Sequence, residues 1–118
     1  MRVQVYWNLT KDCWSVVALE GEHKNRVVDH VDQVYLEAAT FAVQPAGNAR
    51  VRAEGRKNVH AFVRGNRVGA LPDERRSCRH VMYNPYKYES FVFVDDKAPI
   101  ESAKTVSLLG RYAVLAEV

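Results

Sequence analysis

Thiols are scarce in this chain: Cys13 and Cys78 are the two cysteines among 118 residues. Two widely separated cysteines exclude a disulfide scaffold and are expected to be reduced packing residues. Neither Cys-x-x-Cys nor His-x-x-x-His spacing occurs, and His23, His30, His60 and His80 are scattered, so no zinc-type ligand set is expected. Six glycines and four prolines are too few for a low-complexity or collagen-like chain. No apolar run approaches the roughly 20 residues of a membrane span. Met1-Arg2-Val3-Gln4 opens as a strand at once, so neither a signal peptide nor a membrane partner is expected. Gly-x-Gly and Gly-Lys-Ser/Thr phosphate loops and a nucleophile elbow are also missing. No cofactor is expected.

What remains is a soluble-looking chain with 47% hydrophobic residues and a formal net charge of +3. Those values fit a single domain spanning 1–118 with a real core. The charge is unevenly placed. Arg50, Arg52, Arg56, Lys57, Arg64, Arg67, Arg75, Arg76 and Arg79 crowd the middle third, opposed there by Glu54, Asp73 and Glu74. A basic centre with more neutral flanks suits an anionic partner, and arginine's planar fork suits phosphate. Solvated loop charges are the plainer reading for Arg75, Arg76 and Arg79.

Hydropathy alternates with a period of two in several places, which is the mark of half-buried strands. Val3, Val5, Trp7 and Leu9 alternate with polar residues, and 14–19 returns after a turn at 10–12, giving an N-terminal hairpin. Residues 26–43 read as two strands bent near 30–33 and paired with each other. Residues 49–54 read as one or two helical turns ending at Gly55. A strand follows over 56–68, in which Gly65-Asn66 offers a turn, and 69–79 reads as a mobile loop. Residues 80–83 and 89–94 are strand-like, and 106–109 with 112–118 form a closing hairpin through Gly110. The expected fold is mostly β: a compact antiparallel sheet or small barrel with at most one short helix.

Two segments could make a site. On the strand over 56–65, Val59, Ala61 and Val63 fall on one face, and Asn58, His60, Phe62 and Arg64 on the other. An amide, an imidazole, an aromatic ring and a cation are the equipment for stacking a base and holding a phosphate. The second segment places Tyr83, Asn84, Tyr86, Lys87 and Tyr88 around Pro85. Aromatic residues interleaved with basic ones also suit a nucleotide, each stacked base contributing roughly 1–3 kcal/mol. The competing account is that these tyrosines cover a sheet edge that Pro85 keeps from pairing. If the two segments pair as neighbouring antiparallel strands, Phe62 and Arg64 approach Tyr86 or Lys87. Arg56, Arg64 and Lys87 would then hold phosphates, Phe62 with Tyr86 or Tyr88 would stack on the base, and Asn58 or Asn84 would read its edge.

These same segments, with Val3-Gln4-Val5-Tyr6, Asn8-Leu9 and Ala46-Gly47-Asn48-Ala49-Arg50-Val51, resemble a family of small proteins encoded by tailed bacteriophages. More distantly, the chain resembles the phage sponge proteins that counter Thoeris defence. That second resemblance implies an oligomer in the host cytoplasm that sequesters a cyclic ADP-ribose signal without cleaving it, in pockets near subunit contacts. A domain this small also has little interior in which to enclose a charged ligand, so a homo-oligomer is expected.

Other chemistries fit less well. His60 could serve as a general base with Asp29, Asp32, Asp95 or Asp96, making an enzyme that cleaves a nucleotide signal, but a strand histidine is more often structural. Asp95-Asp96 could ligate Mg²⁺, yet adjacent strand side chains point apart, so a turn role is expected. A single-stranded nucleic-acid groove would use the same arginines and aromatics, against which +3 is a small charge. A protein inhibitor of a bacterial defence enzyme is the third alternative, since Tyr- and Arg-rich faces also make interface hot spots. The favoured expectation is a non-enzymatic protein that binds a small nucleotide.

Overall fold

A computed structural model of the chain describes residues 1–8, 10–43, 61–71, 78–84, 90–110 and 114–118. Among these the protein is all β, without a helix. The strands are β1 Arg2–Asn8, β2 Cys13–Ala18, β3 Val27–Val31, β4 Val34–Val43, β5 Ala61–Val68, β6 Cys78–Met82, β7 Val92–Phe93, β8 Ser102–Leu108 and β9 Val114–Glu117. They form one antiparallel sheet in the order β3-β2-β1-β5-β4-β8-β9-β6-β7. The short helix expected at 49–54 lies outside the described residues, as does most of the loop at 69–79.

Both expected hairpins are present. β1 pairs with β2 from Val3–Ala18 to Asn8–Cys13, and β8 pairs with β9. Asn8 sets the first turn: its Oδ1 accepts from the Thr10 and Lys11 amides, each at 3.0 Å, an Asx turn. Val3, Val5 and Trp7 meet Ala18, Val16 and Trp14 on one side of the sheet, and the two indoles pack edge to face at 4.9 Å. This side carries a single buried apolar cluster to which eight strands contribute, with Val31 of β3 packed against it.

Three expectations about pairing are corrected. β3 and β4 do not pair with each other; β3 pairs with β2, and β4 with β5 and β8. Gly65-Asn66 is no turn, because β5 runs straight through it. β5 and β6 are not neighbours, since β4, β8 and β9 stand between them. The physical reason is long-range: β5 inserts between β1 and β4, which local pattern does not encode.

Gly65 instead serves a β-bulge. The β4–β5 register shifts between Glu37 and Thr40, where Ala38 adopts φ 50°. That extra residue moves the buried side chains of β4 from Val34 and Leu36 to Ala39 and Phe41. A Cβ at Gly65 would stand 3.0 Å from the Glu37 carbonyl oxygen and 3.2 Å from Leu36 Cβ. Only glycine lets the two backbones approach this closely.

The sheet curls toward its buried side. Arg67 of β5 reaches across β1 and β2 to Asp29 of β3 at 2.9 Å, and Phe41 of β4 touches Phe91 beside β7, centroids 5.3 Å apart. The opposite face of the sheet is therefore the outer one.

Candidate functional site

β5 carries the first candidate segment, and its two faces divide as the alternation predicts. Ala61 and Val63 belong to the core cluster, whereas Phe62 and Arg64 lie on the outer face. Arg64 is exposed and opposite Gln4 on β1 and Thr40 on β4. Its Nε donates to Gln4 Oε1 at 2.9 Å, and its guanidinium carbon lies 4.9 Å from the centre of the Phe62 ring. The two contacts hold the side chain through its Nε and its guanidinium plane. An exposed guanidinium backed by a ring and a neutral amide can grip an anion.

Phe62 does not offer a stacking face, which corrects its expected role. It is 6% exposed and lies under Arg64. Tyr83 is also misplaced for a ligand: it is 4% exposed within the core cluster, 5.1 Å from Phe91, on the side of the sheet opposite Arg64. Asn84 follows it, partly buried. Because β5 and β6 are not neighbours, the structure does not bring the two segments together on one strand pair. Arg56, Asn58, His60, Tyr86, Lys87 and Tyr88 lie outside the described residues.

The other described arginines of the basic middle third are engaged. Arg67 holds Asp29, which keeps the Asp29 carboxyl below the ordinary aspartate range. Arg79 stacks on Phe93 at 3.7 Å and bridges Asp95 at 2.6 Å and Asp96 at 3.4 Å. That hydrogen bond lowers the Asp95 pKa and raises that of Arg79. Asp95 and Asp96 also accept from the backbone amides of Asp96 and Ala98, so they build the turn after β7. The expected turn role of Asp95 and Asp96 is seen in these bonds.

Residues that sequence reasoning passed over sit beside Arg64 on the outer face. Tyr6 pairs with Ser15 and Ser15 with His30, one row across β1, β2 and β3. Ser15 has no exposed surface. Its Oγ accepts from Asn8 Nδ2 at 3.1 Å and bonds His30 Nδ1 at 3.1 Å. Period-two alternation on β1 puts Tyr6 opposite the core, but only the registers of β1 with β2 and of β2 with β3 bring Ser15 and His30 beside it.

Two concavities are lined by described residues alone, and Arg64 and Phe62 are in neither. One, of about 350 Å³, lies among Met1, Gln33, Tyr35 and Arg67. The other, about 690 Å³ and wide open, lies over the Ala38 bulge beside Lys104 and Val118.

Fold and site together define a small all-β protein whose one sheet buries a continuous core and presents a fixed cation on the reverse face. The chain belongs to the family described as Mycobacterium phage L5 gene 82 protein, which matches residues 1–116. The Gene 82 protein of Mycobacterium phage L5 is 40% identical over 114 residues, covering 92% of this chain and 90% of that protein. The resemblance to a phage family is thereby borne out. No solved structure matches the chain.

Proposed function

We propose that this phage protein binds a small nucleotide through the outer face of its sheet and holds it without chemical change. The observation that carries this reading is Arg64. Among the described residues its contacts are a ring and a neutral amide, and none of them is a carboxylate. With Nε engaged by Gln4, the two terminal nitrogens remain for a bidentate phosphate.

A domain this small has little interior in which to enclose a charged ligand. A nucleotide held on the outer face is enclosed when a second copy supplies the other wall. The protein therefore acts as a homo-oligomer with the ligand beside a subunit contact. In a phage protein, the cargo that fits this design is a nucleotide immune signal of the host, such as a cyclic ADP-ribose isomer, sequestered in the host cytoplasm as anti-defence against a Thoeris-type system.

Native mass spectrometry after incubation with a panel of linear and cyclic nucleotides tests the reading. The expected result is an oligomer carrying nucleotide of unaltered mass, which Arg64→Ala loses. Cleaved nucleotide would make the protein an enzyme. Binding of oligonucleotides alone, falling steeply with salt, would make the face a single-strand groove.

A further inference from the structure

Resting on that reading of Arg64, a second question is where the base of the ligand lies. Phe62 cannot receive it, being 6% exposed beneath the guanidinium. A flat aromatic group needs a ring with free surface on the same face and within a nucleotide's reach of the anion grip. Tyr6 meets both conditions. Gln4 stands opposite Arg64, so Tyr6, two residues along β1, is the diagonal neighbour of Arg64 at roughly 7–8 Å. It is half-buried, with part of its surface open.

His30 extends the surface. It is exposed and lies in the same row as Tyr6, two strand spacings or about 9–10 Å away. The residue between them is Ser15, whose hydroxyl is sealed from water and held by Asn8 and His30. A fully buried serine on the face opposite the core, bonded to the ring beside it, fixes how that imidazole sits. Asn8 is itself fixed by the turn at residues 10–11. The row therefore reads ring, small buried hydroxyl, ring, with the orientation of the second ring set from below.

We propose that Tyr6 and His30 form a stacking platform for the base of the bound nucleotide, while Arg64 holds its phosphate. Both rings stack on any base, and neither is placed to read one base's edge. The platform therefore selects for an aromatic base over a bare sugar phosphate more than it selects among bases.

The test compares ADP-ribose with ribose 5-phosphate, which keeps the anion and lacks the base, by calorimetric titration. Tyr6→Ala and His30→Ala are each expected to weaken ADP-ribose about tenfold. They should leave ribose 5-phosphate unchanged, and Tyr6→Phe should retain wild-type affinity. Arg64→Ala should weaken both ligands. Full ADP-ribose affinity in the Tyr6→Ala/His30→Ala double variant, with Arg64→Ala still impaired, would overturn the platform and leave the anion grip standing. Equal weakening of the two ligands by Tyr6→Ala and Tyr6→Phe alike would also overturn it, showing an effect through the sheet. Wild-type protein that binds neither ligand would overturn the grip and the platform together.

Discussion

Arg64 and Arg79 are built alike and used differently. Each is a strand arginine lying over a phenylalanine ring, at 4.9 Å over Phe62 and 3.7 Å over Phe93. Arg79 then meets two carboxylates, Asp95 and Asp96, which also cap the turn after β7. Arg64 meets the amide of Gln4. A guanidinium whose Nη2 meets two carboxylates has its charge neutralised locally and closes a turn. One held by an amide is positioned without being neutralised by that contact, which is the basis of the proposed anion grip. The same pair of residue types thus gives a clasp in one half of the sheet and an open grip in the other.

The largest expected effect separates the two directly. Arg64→Ala should weaken nucleotide binding by about ten- to a hundredfold, the range for a charge-assisted hydrogen bond. Its melting temperature should stay near wild type, while Arg79→Ala should do the reverse. Gln4→Glu sharpens the contrast by giving Arg64 a carboxylate of its own. Nucleotide affinity should then fall toward that of Arg64→Ala while the sheet stays folded, as circular dichroism would report.

A structural variant comes next. Gly65→Val drives a side chain against the Glu37 carbonyl at the β4 bulge. Chemical denaturation should show a loss of about 1–3 kcal/mol, the usual cost of overpacking. Binding should weaken with it, because Gly65 adjoins Arg64 on β5.

The smallest effect is acidic. Asp29 and Asp95 both have pKa values lowered by their arginines. Their ion pairs stabilise the fold above the ordinary aspartate pKa, and this contribution is lost as pH falls through the lowered folded-state values. Both carboxylates are largely exposed, so solvent screens them and the loss should be slight. Thermal melts between pH 5 and about pH 2 should show it, and Arg79→Ala should remove the Asp95 share.

Much of this was legible in local pattern. The alternation in β1 and β5 showed those strands and their faces, and it correctly put Ala61 with Val63 and Phe62 with Arg64 on opposite sides. Hairpins were readable because their partners are close in sequence. What could not be read was the company each strand keeps. β5 sits between β1 and β4, so Gln4 and Tyr6, some sixty residues away, become the neighbours of Arg64. Strand periodicity also fails at Ala38, where one inserted residue reverses the faces of β4. Gly65 looked like a turn for the same reason, its role being clearance for a bulge on another strand. Tyr83 lies two residues after Val81, shares its buried face and packs on Phe91, although its tyrosine-rich segment reads as a ligand face or an edge cover.

The most direct measurement is a calorimetric titration of ADP-ribose into wild-type, Arg64→Ala and Arg79→Ala proteins, with melting temperatures taken on the same samples. The account predicts binding to wild type and Arg79→Ala, loss in Arg64→Ala, and lowered thermal stability in Arg79→Ala. Equal affinity in all three, or no binding to any, would contradict it.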